Sequence, residues 1–364
     1  VNAKVYFMPA TANDPVDVMH RKLMELYEAA QLGGCFSAKD LVAIKIHFGE
    51  EDNVTHLPAA YLPPLIAAIR QKGAEPFFTE TCVLYRSQRA NAVSHLHLAE
   101  QHGFGQHQLG IPIIIADGLR GNSEIEVTIP GKFFKTVAIA AEALMANAML
   151  VISHVTGHMA SGIGAAIKNL GMGLASRKGK LRQHSSMKPR IEITRCTGCG
   201  DCILWCPEDA ISMNGNVAVI NEKICIGCGE CLTVCRFDAV RYNWKTSSDS
   251  LQRKMAEHAL GAVIHKREKV AYLNFLINIT KDCDCLSGKQ SPVVKDIGVL
   301  ASKDPVAIDT ASLDLIARYA GKSLTALSYP NIDPTIQLQH GQEVGLGTMN
   351  YELISLATPS DENR

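Results

Sequence analysis

The chain has 364 residues, 47% of them hydrophobic, and its 36 Lys and Arg balance 36 Asp and Glu. That neutral balance excludes a dedicated nucleic-acid binder and a polybasic membrane anchor, and the length suits two or three domains. The longest apolar stretch, residues 137–152, is interrupted by Glu142 and Asn147, too soon for a spanning helix of about 18 clean residues; no signal-type pattern opens the chain, so no membrane and a cytoplasmic location are expected.

Residues 4–8 read as a strand, and residues 17–32 as a helix turning Val18, Leu23, Leu26 and Ala30 inward. Residues 41–48 are a second strand, followed by a helix over 59–72 that stops at Gly73. Strand 75–81, helix 89–102 and strand 111–117 continue the alternation, with Gly103 as a helix terminator. Residues 124–129 and 133–137 suit the arms of a hairpin, 138–148 a helix and 149–154 a buried strand. The pattern breaks after residue 190 and resumes with helix 251–265, strands 270–279 and 297–301, and helix 305–319, with Ser302 or Asp304 near its start. Strands alternating with helices imply an α/β fold with an open, mostly parallel sheet and helices on both faces. Residues 1–189 and 246–364 form the two parts of this host, and residues 190–245 an inserted α+β module.

Eight of the twelve cysteines fall between Cys196 and Cys235. Clustered in a long chain, they point to metal or redox chemistry rather than a disulfide framework. Cys196, Cys199, Cys202 and Cys206 coincide at one offset with Cys225, Cys228, Cys231 and Cys235, as do Gly198 with Gly227, Gly200 with Gly229, and Asp209 with Asp238. The run C-x2-C-x2-C-x3-C-P is the bacterial two-cluster ferredoxin signature, in which the fourth cysteine serves the other cluster. The spacing therefore predicts one [4Fe–4S] cluster on Cys196, Cys199, Cys202 and Cys235, and a second on Cys225, Cys228, Cys231 and Cys206. Two zinc ribbons are the alternative, but these join separated C-x2-C hairpins rather than two four-cysteine runs. Arg236 stands where the second run would carry proline, which spares ligation but changes the surroundings of the second cluster. Trp205 and Phe237 are expected to pack rather than to conduct electrons.

In the host, His154, His158, Lys168 and His184 occupy a glycine-rich stretch after a buried strand, where α/β sheets place ligand sites. A solvated loop is the bland alternative, opposed by Ile163, Ile167, Leu170 and Met172. Cys283 and Cys285 flank Asp284 after strand 270–279. A C-x-C pair binds one soft metal only with further ligands, for which His47, Glu50 or a nearby histidine are candidates; two ordinary thiols are the other reading. Both segments follow buried strands, so His158, Lys168 and Cys283 are expected to face one crevice, with His154 at its rim. Cys35 and Cys82 read as core residues, and Asp304 and Asp309 as helix-start residues. Neither a G-x-G-x-x-G turn nor a G-x-S-x-G elbow is present to support a dinucleotide site or acyl hydrolysis.

Seven segments together resemble the domain-of-unknown-function family DUF362, in its version with a two-cluster ferredoxin insert, over nearly the whole chain. They are KIHFGEE (45–51), IADGL (115–119), SHVTGHM (153–159), IKNLGMGL (167–174), ASRKGKL (175–181), DCDCL (282–286) and SKDPVAIDT (302–310). The resemblance implies an anaerobe-type iron–sulfur protein and no established reaction. The spacing of His158, Lys168 and His184 is also similar to that in nickel-pincer lactate racemases. That similarity implies Lys168 as the tether of the pincer, His184 as a nickel ligand and His158 as a proton-transfer residue, while that family's upstream histidine has no counterpart in residues 79–86. The leading expectation is a reductase-like oxidoreductase: a redox partner protein exchanges electrons with the two clusters, which serve a small-molecule substrate or an additional metal in the α/β part. The alternatives are an electron carrier with a docking domain, and a racemase- or isomerase-like enzyme with structural clusters.

Overall fold

The computed structural model describes residues 2–184, 188–225, 229–241 and 247–357. Its main sheet is built from β1 (Ala3–Pro9), β2 (Leu41–Lys45), β3 (Glu75–Glu80), β4 (Ile113–Ile115), β5 (Ala148–His154), β6 (Val270–Leu276), β7 (Gly298–Ser302) and β8 (Tyr351–Ser355). Across the sheet the order is β8-β1-β7-β6-β5-β2-β3-β4. β7 runs antiparallel to its neighbours β1 and β6, and every other pairing is parallel. The sheet is mostly parallel, as the alternation implies. Every residue of β6 is buried, the continuous apolar run expected of a strand covered on both faces.

Helices cover both faces. On one, Val16–Ala29, Pro63–Gln71 and Ala92–Gln101 pack over Ile44, Leu150 and Leu273. On the other, Ala166–Gly171, Ser248–Val263 and Pro305–Ala320 pack over Met149, Val151 and Tyr272. Among the described residues, no helix is long and apolar enough to cross a membrane.

Several boundaries differ from expectation for identifiable reasons. β2 stops at Lys45 and β6 at Leu276; beyond the latter, Asn278 takes a left-handed φ of 48° and turns the chain out of the sheet. The hairpin pairs Glu124–Thr128 with Thr136–Ala140, so its second arm takes residues expected in a helix, which shrinks to Ala141–Met145. Burial decides this, since Val137, Ala138, Ile139 and Ala140 are all fully enclosed. The glycine-rich stretch contains a small hairpin, Thr156–His158 against Gly162–Gly164, and two helices, Ala166–Gly171 and Arg177–His184. Asp304 caps its own helix, accepting from the Val306 and Ala307 amides at 2.9 Å each. Asp309 instead caps a different one: its carboxylate accepts from the amides of Ala166 (2.9 Å) and Ile167 (2.8 Å) across the core.

β5 precedes and β6 follows the cysteine-rich segment, yet the two strands are sheet neighbours. Within that segment Arg190–Ile191 pairs antiparallel with Val240–Arg241, and Ile211–Asn214 with Val217–Ile220. A separate small core gathers Cys202, Ile211, Ala218, Cys231, Val234 and Val240. It meets the rest of the chain where Leu232 packs on Leu84 and Leu181.

Candidate functional site

Parallel strands deliver their last residues to one edge, and here that edge is charged. Lys45 ends β2 and Glu80 ends β3; the Lys45 ammonium donates to the Glu80 carboxylate and, at 2.7 Å, to Asn169 Oδ1. Arg89 completes the group, donating to Glu50 Oε2 from Nε and Nη2 (3.1 Å each), and from Nη1 to Glu80 Oε2 (3.3 Å) and His47 Nε2 (2.9 Å). Two cations and two carboxylates are thus buried together, which is tolerable only because each has a partner.

This network corrects the proposed role of His47 and Glu50 as ligands beside the C-x-C pair. The guanidinium occupies His47 Nε2 and one Glu50 oxygen, while Ser87 Oγ donates to the other at 2.6 Å. Burial and the Arg89 and Lys45 charges hold His47 well below the usual histidine range, so it is neutral. Sequence reasoning missed Arg89, Lys45 and Glu80; the available signal was a lysine and a glutamate closing otherwise apolar strands.

His154 ends β5 and is also a support rather than a rim residue. Its Nδ1 lies 2.9 Å from Asp284 Oδ2 and its Nε2 2.8 Å from the Ile277 carbonyl, with the side chain only 2% exposed. Burial alone would favour the neutral ring, but Asp284 and the carbonyl outweigh it and raise the pKa above its ordinary value. The ion pair therefore pins the C-x-C turn to the end of β5. Its stabilisation is complete below the unfolded histidine pKa of about 6.5 and is lost as pH rises through the higher folded value. A His154→Gln variant should accordingly show its largest deficit in unfolding midpoint at or below that pH, with the gap from wild type narrowing under alkaline conditions. A deficit that grows with pH would contradict the charged pair.

The remaining host residues do converge. Lys168 Nζ lies 3.3 Å from Cys283 Sγ, and a nitrogen of His158 and the sulfurs of Cys283 and Cys285 are within 4.8 Å of one another. Cys283 and Cys285 are disulfide-bonded in this structure. The helix carrying Lys168 is fixed by the Asp309 cap and by Asn169, whose amide donates to the Ile152 carbonyl at 2.9 Å. Burial and Arg89 pull the Lys168 amine down to about 8, against the opposing pull of Asp284 and Glu80. His184, at the end of Arg177–His184, is lowered to about 4 by burial and by Lys168 and Lys180. Burial, Lys168 and His184 likewise keep His158 neutral. Two neutral imidazoles, a readily deprotonated amine and two sulfurs form a site suited to proton movement and to soft-metal binding.

The cysteine-rich segment repeats itself in space. Gly200 and Gly229 precede the helices Asp201–Leu204 and Glu230–Val234 with φ of 79° and 82°, and Asp209 and Asp238 share the left-handed region at 49° and 51°. The Ala210 amide donates to Cys206 Sγ at 3.2 Å and the Ala239 amide to Cys235 Sγ at 3.3 Å. The Cys202 thiol is pushed up by burial and by Cys235, Cys199 and Cys196. Cys206, from the first run, lines a recess with Cys225 and Cys231 of the second; Cys228 lies outside the described residues. Arg236 Nη2 reaches Asp201 Oδ2 at 3.1 Å, tying the second run to the first. Trp205 and Phe237, expected to pack, are 51% and 42% exposed, and Phe237 lies against the Arg236 guanidinium. Gly229 also touches the host: a Cβ there would come within 2.2 Å of Leu181 Cδ2.

No curated protein matches the chain. Among solved structures, two align with part of the chain. The lactate racemase apoprotein from Thermoanaerobacterium thermosaccharolyticum aligns over 76% of this chain and 51% of its own, at 14% identity and a TM-score of 0.40. A structural-genomics crystal structure from Thermotoga maritima aligns over 87% of this chain and 61% of its own, at 8% identity and a TM-score of 0.47. The chain thus spans between half and two thirds of the length of each. The model of the family described as Domain of unknown function (DUF362) matches residues 42–314, and the chain belongs to that family.

Proposed function

We propose that the protein is an iron–sulfur electron-transfer protein that passes single electrons between a redox partner protein and a substrate or metal at the His158–Lys168–Cys283 site. Cys196, Cys199, Cys202 and Cys235 would hold one [4Fe–4S] cluster, and Cys206, Cys225, Cys228 and Cys231 the other. What supports this reading is that Cys206 of the first run lines one recess with Cys225 and Cys231 of the second, while Cys235 of the second run acts on Cys202 of the first. Crossed sharing is what two cubanes on a C-x2-C-x2-C-x3-C pair require. Four thiols with backbone amides directed at cysteine sulfurs also suit the donor set of such a cluster. When bound, the clusters supply one-electron transfer.

The chain's own residues connect the two regions. Leu181 packs at Gly229, within the second cysteine run, and His184 ends the same helix beside Lys168. On this reading electrons from the second set would reach the host site past Leu181, and Lys168 and the neutral His158 would hold or release the accompanying protons. A racemase- or isomerase-like activity is the second reading, favoured by the grouping of two neutral imidazoles beside Lys168. Iron and acid-labile sulfide in anaerobically purified protein provide the test. The expected content is about eight of each per chain, with one-electron reductions seen by electron paramagnetic resonance. Zinc in the cysteine-rich segment without labile sulfide would overturn the proposal.

A further inference from the structure

We infer that the reduced chain binds one zinc-class divalent ion on His158, Cys283 and Cys285, leaving a fourth coordination position open beside Lys168. The three ligand atoms already lie within 4.8 Å of one another although they come from two distant segments. One segment is the Thr156–His158 and Gly162–Gly164 hairpin; the other is the turn after β6. Their docking is specific. The Gly157 amide donates to the Thr280 carbonyl at 2.9 Å, and a Cβ on Gly157 would sit 2.2 Å from the Lys281 carbonyl oxygen, so only glycine allows this approach.

The surroundings have the form of a metal site. His158 Nδ1 accepts from the amides of Ser161 (3.1 Å) and Ala160 (3.3 Å) and faces Ser161 Oγ at 2.8 Å, whose hydroxyl donates onward to the Ile163 carbonyl at 2.9 Å. His158 Nε2 makes no hydrogen bond among the described residues, and metal binding there would move the ring proton to Nδ1, where Ser161 Oγ can accept it. A ring oriented through one nitrogen is how a ligating histidine presents the other to a metal. Two thiolates and an imidazole select a borderline-soft divalent ion, and three protein ligands leave the open position typical of a catalytic rather than a structural site. Lys168, 3.3 Å from Cys283 Sγ, favours the thiolate and stands where an anionic fourth ligand would bind.

Opening the Cys283–Cys285 bond takes two electrons and two protons from a small thiol reductant, which is oxidised to its own disulfide; the entering ion then displaces both protons from the dithiol. The inference rests on the site proposed above, where a zinc ion, having no redox chemistry, would bind and polarise the substrate rather than take the electrons; it uses none of the cluster cysteines, so the two readings fail separately.

The test uses the full chain, handled anaerobically with excess thiol reductant and Zn²⁺, then desalted and analysed for zinc, iron and sulfide together. The expected result is one retained zinc per chain in wild type and loss of that zinc in Cys285→Ser and Cys283→Ser, with iron and sulfide unchanged. Zinc-edge absorption on the wild type, which needs no variant to fold, should show two sulfur scatterers at about 2.3 Å and nitrogen at about 2.0 Å. No retained zinc, zinc retained equally by the variants, zinc gained only as iron is lost, or four sulfur scatterers would each overturn it.

Discussion

Arg89→Met should destabilise the fold by about 3–5 kcal/mol, the cost of leaving a buried charge without its partner. Methionine fills much of the volume but removes the donors that hold Glu50 and share Glu80. Glu80 keeps Lys45, whereas among the described residues Glu50 retains Ser87, the Glu51 amide and a longer contact to Tyr85. The damage should therefore fall on Glu50, and Glu50→Gln in the Arg89→Met background should recover part of it. Denaturant unfolding of wild type, both single variants and the double variant measures the coupling. Additive losses would mean that the two side chains do not stabilise each other. The site should respond as well, since Tyr85 bonds both Glu50 and the Cys285 carbonyl and so connects this network to the C-x-C turn.

Cys206→Ser should abolish the cluster proposed on Cys225, Cys228 and Cys231 and spare the one beside it in sequence. The iron content would fall to about half, four of eight, with one paramagnetic signal remaining after reduction. The expectation follows from position: Cys206 lines the same recess as Cys225 and Cys231, while Cys202 has Cys235 for company. Cys235→Ser should remove the other cluster, making the two variants complementary. If Cys206→Ser instead loses the signal that Cys199→Ser loses and keeps the one that Cys225→Ser loses, the crossed assignment is wrong. Reduction potentials in the two half-loaded proteins would then give the potential of each cluster separately.

The period of the hydrophobic pattern exposed most of the sheet to reading from sequence. The strands expected at residues 41–48, 75–81 and 270–279 contain β2, β3 and β6, and β5 begins one residue before the expected 149–154. Local pattern failed where tertiary contacts decide. Residues 138–140 have helical company in sequence but pair with Glu124–Thr128 because the core needs them there. The two helices of the glycine-rich stretch carry no signal in the sequence because they are short and are fixed by distant groups, Asp309 for one and the packing of Leu181 for the other.

The site divides along the same line. His158, Lys168, His184 and the two cysteines were legible because histidines, cysteines and glycines stand out after a buried strand. Arg89 was not, since nothing near it in the sequence announces that it will meet residues 39 and 42 positions away. His154 carried the right residue type but not the right role: its partner Asp284 was hidden between two more conspicuous cysteines.

One small pairing bears on how such a chain is assembled over generations. Arg190–Ile191 and Val240–Arg241 hold the entry and exit of the cysteine-rich segment side by side, about 5 Å apart as paired strands are. Everything between them is therefore a cassette on a closed stem. A recombination event that exchanged it would need to match only that two-strand stem, and the order β8-β1-β7-β6-β5-β2-β3-β4 would pass to the descendant unaltered. The local cost would be the uncovering of Leu84 and Leu181, the two leucines on which Leu232 rests. A lineage could thus discard or replace its cysteine-rich cassette while inheriting the host pocket intact.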